Sequence, residues 1–172
     1  MKIVDQYSYK DGQKIVDKHF QPELDDIRLV LAGVTEKGHR SPSGSGRLLP
    51  GALRKSVKQR FIEHGWDRQR VKVEMLNAPK RAIYREIDFV KNRLGVDVQF
   101  SRVAMMAYNV ASKMPIFHNE DLIDAGLLIV AMKDLAVEMS AGVAYFEQFV
   151  WDLEHRGVAD VEIPVLVVGV TL

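Results

Sequence analysis

Residues 86–100, Glu-Ile-Asp-Phe-Val-Lys-Asn-Arg-Leu-Gly-Val-Asp-Val-Gln-Phe, set two alternating runs on either side of a polar, Gly-containing turn. In the second run Val96, Val98 and Phe100 alternate with Asp97 and Gln99; in the first, Ile87 and Phe89 alternate with Glu86 and Asp88. A period of two puts apolar side chains on one face of a strand and polar ones on the other, so the segment predicts a β-hairpin with Lys91 and Arg93 at its turn. Paired in this way, the strands bring Asp88 and Asp97 to one face. Two carboxylates on a half-buried sheet are costly unless something neutralises them. A hard divalent cation with oxygen ligands, typically Mg²⁺, is the usual remedy.

The rest of the chain bounds what can surround such a hairpin. Its 172 residues, 47% of them apolar, predict one domain over 1–172 with one substantial core. No run of 18 or more apolar residues is present, so no membrane-spanning segment is expected. The N-terminal Met-Lys-Ile-Val-Asp-Gln-Tyr lacks the pattern of a secretory signal. Without cysteine there is no disulfide, thiolate zinc site or Cys nucleophile, and a cytoplasmic protein is the simplest reading. The formal net charge of +1 hides an asymmetry: residues 37–70 hold nine Lys and Arg against Glu63 and Asp67, which is +7 and leaves −6 elsewhere. A basic block of this kind points to a polyanion, or to an ordinary solvated loop and helix.

In chain order, residues 1–8 read as a short extended piece, and Lys10–His19 and Glu23–Val34 as helices, the second with Leu24, Ile27 and Leu31 at core spacing. The Gly- and Ser-rich segment 36–47 is the clearest loop. It carries Lys37, Arg40 and Arg47, and reads either as a basic arm that becomes ordered on DNA or as a flexible connection. Leu49–Gly65 predicts an amphipathic helix with Leu49, Leu53, Val57 and Phe61 as its apolar stripe. Arg54, Lys55 and Lys58 lie off that stripe, within reach of a phosphate, while Glu63 reads as a surface residue before a further metal ligand. Strands are expected at Val71–Leu76, Ala82–Val90, Gly126–Met132 and Ile163–Val170, and helices at Val103–Met114 and Gly142–Arg156. The alternation predicts an α/β fold, a central mixed β-sheet flanked by helices. His19, His39, His64, His118 and His155 show no i, i+4 pairing, and there is no nucleophile elbow, P-loop or dinucleotide fingerprint.

Asp88, nine residues, then Asp97-Val98-Gln99 resembles the PD-(D/E)XK nuclease site in its variant with Gln in place of Lys. The wider string Ile87-Asp88-Phe89 … Val98-Gln99-Phe100-Ser101, with Asn109 and the run from Phe146-Glu147-Gln148 to Val161–Gly169, is similar to the BglII/BstYI-type restriction endonucleases. The resemblance spans roughly residues 45–170, and is better after Asp88 than before it. It implies a restriction-endonuclease-like fold and a homodimer hydrolysing both strands of a short, GATC-centred DNA palindrome to leave 5′-phosphates. It also implies Mg²⁺ as cofactor and a cognate DNA methyltransferase in the same system. Asp88 and Asp97 would hold the metal with the Val98 carbonyl. Gln99 would orient the attacking water, being both donor and acceptor, and the metal would supply the electrostatics an amide lacks. Ser101 and Arg102 would emerge beside DNA, where Arg pairs bidentately with guanine. The relatives carry Glu where this chain has Asp97, one methylene shorter, which leaves open a DNA-binding protein that no longer hydrolyses; a relative carries Asn where this chain has Arg102, a departure that bears on the base preference. The Met-bearing helix reads as a dimer surface.

Overall fold

The computed structural model of the chain describes residues 1–42, 46–73, 83–140, 142–155 and 163–172. A six-stranded mixed sheet runs through it in the order β1-β6-β5-β4-β3-β2. The strands are β1 Lys2–Tyr9, β2 Asp67–Val73, β3 Ile83–Lys91, β4 Leu94–Gln99, β5 Ala125–Ala131 and β6 Val165–Thr171. β4, β5 and β6 are parallel to one another, while β1–β6, β2–β3 and β3–β4 are antiparallel.

The apolar runs of the sequence become the inner strands because both faces of the sheet are covered. Leu127, Ile129 and Ala131 of β5 and Leu166, Val168 and Val170 of β6 enter one core; Leu128, Val130, Val165 and Val167 enter the other. Helices α1 Gly12–His19, α2 Gln21–Ala32 and α3 Pro50–Glu63 cover the first face through Val16, Leu24, Ile27, Leu31, Leu53, Val57 and Phe61. The second is covered by α4 Val103–Tyr108, a π-helical turn at Asn109–Lys113, α5 Met114–Asn119 and, further on, α7 Phe146–His155. Between β5 and α7 lies α6 Lys133–Met139, a helix the sequence reading did not predict.

Several expectations shift. Lys10 and Asp11 take left-handed backbone and turn the chain out of β1, so the first helix starts at Gly12. Leu49 is exposed and stands just before α3. β2 begins at Asp67 because its polar Asp67–Arg70 half is an edge strand, where charged side chains are tolerated. In the helix placed at Val103–Met114, Met106 and Met114 are fully buried with Val110, while Met105, 45% exposed, is at the surface. The ends of the expected Val71–Leu76 and Gly142–Arg156 elements, with Ala82 and Val161–Glu162, lie outside the described residues. Among the described residues no helix is long and apolar enough to cross a membrane.

Candidate active site at the open end of a hairpin

The hairpin turn is Asn92-Arg93, with φ of 46° and 71°, the left-handed pair that a two-residue hairpin requires. Gly95, expected in the turn, lies inside β4, where an added Cβ would come 2.7 Å from Ile87 Cδ1. Arg93 is held by ion pairs of 2.7 Å to both Asp121 and Asp124, which pins the turn to the segment before β5.

Away from the turn the two strands part. Their pairing runs from Lys91↔Leu94 to Phe89↔Val96. On its other side β3 pairs Val90 with Asp67 and Ile87 with Gln69, so Asp88 and Phe89 together oppose Arg68. This is a β-bulge, and it breaks the period of two. Ile87 and Phe89, expected on one face, enter different cores. The main-chain donors beyond the ladder turn to the carboxylates instead. Asp88 N–H donates to Asp97 Oδ1 at 3.0 Å, and Val98 N–H donates to Asp88 Oδ2 at 3.3 Å.

Neither carboxylate is on a solvated face. Asp88 is 5% exposed, Asp97 1% and Gln99 5%, since β4 is an inner strand covered on both sides. Three cations enter from two helices. From α3, Lys58 bonds Asp88 Oδ1, while Arg54 Nη2 lies 3.2 Å from Asp88 Oδ2 and Arg54 Nε donates to the Val98 carbonyl at 3.1 Å. From the opposite face, Lys113 Nζ lies 2.8 Å from both Asp97 oxygens. Only Oδ1 receives it in hydrogen-bonding geometry; among the described residues Asp97 Oδ2 has no hydrogen-bond donor. Lys113 and Asn109 reach β4 from the π-helical turn. Pro115 has no N–H to close onto the turn before it, and the helix widens there. Asn109 Nδ2 donates to Gln99 Oε1 at 3.3 Å, and Gln99 Nε2 donates to Ser101 Oγ.

These surroundings drive the two carboxyls apart. Burial works to raise Asp88, but the hydrogen bond and charge of Lys58, with Arg54 and the Val98 amide, outweigh it and hold Asp88 below its ordinary value. Burial raises Asp97, and the Lys113 charge does not overcome it with Asp88 adding repulsion. A buried carboxylate pair with opposed shifts is an arrangement that functional sites favour.

The structure thus brings Asp88, Asp97, Val98 and Gln99 together, with Ser101 and Asn109 beside them. Their oxygens are a donor set for a hard cation: two carboxylates and a main-chain carbonyl, with Asp97 Oδ2 lacking a hydrogen bond among the described residues. Among the described residues no third acidic or His ligand joins them. Glu63 is exposed and bonds Gln59 Nε2 at 3.1 Å, as a surface residue would. Arg102 stands exposed at the start of α4. Lys37 and Arg47 are exposed in the segment between α2 and α3. Arg40 is bound there by Glu36, by Glu138 of α6 at 2.8 Å and by the Gly46 carbonyl at 2.6 Å. With Leu48 N–H on the Glu138 carbonyl, that segment is braced against α6 and is not a free arm over its described residues. The sequence reading missed Lys113, and saw Arg54 and Lys58 as phosphate contacts. Their spacing of four on α3 was the available signal, as was the same spacing of Asn109 and Lys113.

Comparison with known proteins bears on the family and the fold. The family model described as restriction endonuclease BglII/BglIII matches residues 4–170. The crystal structure of restriction endonuclease BglII complexed with a DNA 16-mer superposes with a TM-score of 0.73 at 21% identity, covering 100% of this chain and 79% of that one. Free BglII superposes with a TM-score of 0.68 at 20% identity, covering 100% and 80%. No curated protein matches the sequence significantly.

Proposed function

Since the chain belongs to the BglII/BglIII restriction endonuclease family, and so to the site-specific deoxyribonucleases, we propose that it hydrolyses double-stranded DNA at the Asp88, Asp97 and Gln99 cluster. The observation that carries the assignment is the meeting of two buried carboxylates and the Val98 carbonyl where β3 and β4 part. Asp88, Asp97 and the Val98 carbonyl hold the metal, which when bound polarises a phosphoryl oxygen and eases deprotonation of a water. Mg²⁺ fits this oxygen donor set.

Gln99 is the water-orienting group. Its Oε1 takes one hydrogen bond from Asn109 and its Nε2 gives one to Ser101, so the amide is fixed with one lone pair and one N–H still available. Lys37, Arg40, Arg47, Ser101 and Arg102 are the proposed DNA contacts, with Arg102 the candidate for base recognition because it stands exposed at the end of the catalytic strand. For Arg40 this requires exchange of its ion pairs with Glu36 and Glu138. The substrate is a short palindrome, GATC-centred by resemblance, cut to 5′-phosphates by a homodimer whose two-fold axis matches that of the site. The protein acts in the cytoplasm as one domain, beside a methyltransferase that protects host DNA.

The test is digestion of plasmid DNA with Mg²⁺ followed by sequencing of the ends, with sedimentation of the protein on a cleavable duplex. Discrete fragments sharing one palindrome, 5′-phosphates and a two-chain complex are expected. Random degradation would remove the site-specific reading. Specific binding without cleavage in Mg²⁺ or Mn²⁺ would leave a DNA-binding protein on this scaffold.

A further inference from the structure

The guanidinium of Arg54 spans the Asp88 carboxylate and the Val98 carbonyl, two of the three groups assigned above to the metal. Nε points at the carbonyl at 3.1 Å, and Nη2 lies 3.2 and 3.5 Å from the two carboxylate oxygens. A divalent ion bonded to those oxygens would sit about 2 Å from each. It would then compete with a full positive charge for the same lone pairs.

The charge count sharpens the conflict. Asp88 and Asp97 bring two negative charges, and Arg54, Lys58 and Lys113 bring three positive ones. A divalent cation raises the sum to +3 in a site whose carboxylates are almost wholly buried. One cation must leave, or an anion must enter. Lys113 is 11% exposed and Lys58 18%, so both are enclosed, whereas Arg54 is 43% exposed and has a path outward.

We propose that Arg54 is an exchangeable positioning residue: it occupies the Asp88 and Val98 oxygens, yields them to the divalent cation, and swings to the DNA phosphate that enters with it. The inference rests on the assignment of Asp88 and Val98 to the metal. A planar fork of N–H donors suits both partners, a carboxylate with a carbonyl before the exchange and a phosphodiester after it. Metal and DNA therefore bind with positive coupling, each removing an obstacle to the other. The protein alone holds its metal weakly and acquires it together with substrate.

The experiment is calorimetric titration of Mn²⁺ into the DNA-free full chain, for wild type, Arg54→Met, Arg54→Lys and Asp88→Asn. Folding of each variant is checked by circular dichroism. Arg54→Met is expected to bind Mn²⁺ about tenfold more tightly than wild type, within the usual range of coupling between sites. Arg54→Lys, which keeps the charge and loses the fork, should gain less. Asp88→Asn should lose the site. Arg54→Met and Arg54→Lys no tighter than wild type, with Asp88→Asn still abolishing binding, would overturn the exchange and leave the metal assignment standing. Arg54→Met titrating no better than Asp88→Asn would overturn both.

Discussion

The main-chain N–H of Asp88 donates to Asp97 Oδ1 across 3.0 Å, so one acid's backbone holds the other's side chain. The two are coupled without being equivalent. Asp88 also accepts from Lys58, Arg54 and the Val98 amide, while Asp97 has Lys113 beside it and deeper burial around it.

This asymmetry predicts pH dependences of opposite sign. Asp88 is held below its ordinary value, so its ionised form stabilises the fold above pH 3.8 and that contribution is lost as pH falls further. Replacing it with Asn leaves Lys58 facing an amide, and is expected to cost about 1–3 kcal/mol at neutral pH. Asp97 is raised, so its contribution declines as pH rises through its folded value. Asp97→Asn is therefore expected to cost less stability than Asp88→Asn at neutral pH in metal-free buffer, since it removes a raised carboxyl although it leaves Lys113 facing an amide. Urea unfolding of both variants checks this; a larger loss in Asp97→Asn than in Asp88→Asn would contradict it.

Gln99 and Asn109 form a second pair with a separable role. Asn109→Ala removes the 3.3 Å bond that fixes the Gln99 amide. Cleavage rate is expected to fall about tenfold or more, with DNA affinity little changed, because a water held loosely is a poorer nucleophile. Gln99→Ala should fall further, by about a hundredfold. Single-turnover cleavage beside equilibrium binding distinguishes the two effects.

A structural carboxylate lies behind the hairpin. Asp26 of α2 is bonded by His64 Nδ1 at 2.6 Å, Trp66 Nε1 at 2.8 Å and Lys91 Nζ at 2.8 Å, tying α2 to the end of α3 and to β3. Burial acts to raise its carboxyl, but these three donors together hold it below 3.8. The stability it contributes is present at neutral pH and disappears as pH falls through the lowered value. Asp26→Asn is expected to unfold about 1–3 kcal/mol more easily at pH 7, with the difference shrinking towards strongly acid pH. Unfolding across that range is the measurement.

The seat of α1 on the sheet is equally specific. A Cβ on Gly12 would lie 2.1 Å from the Val165 carbonyl oxygen, and main chain cannot yield as a side-chain end does. Gly12→Ala is expected to destabilise by about 3 kcal/mol, the upper end for overpacking. A near-neutral result would show that α1 stands further from β6 than described.

Much of this arrangement is legible in the residues themselves. Two alternating runs marked the hairpin, and the unbroken apolar runs marked β5 and β6 as strands covered on both faces. The bulge at Asp88 was not legible, because it depends on how β3 meets β2, whose first half is too polar to read as a strand. The bonds of Arg54 and Lys58 to Asp88 were not legible for a related reason. A helical stripe says which side of α3 meets the core, but not that its flank passes the open end of another pair of strands. Lys113 depended on a π-helical turn that hydrophobic periodicity does not report.

The central claim is that the buried Asp88–Asp97 pair carries DNA hydrolysis. Its most direct test is plasmid digestion in Mg²⁺ by wild type, Asp88→Asn and Asp97→Asn side by side. Discrete fragments from wild type, and none from Asp97→Asn despite its retained fold, are the predicted result. Cleavage by Asp97→Asn at the wild-type rate would contradict the account, since a hydrolytic centre would then lie elsewhere on the chain.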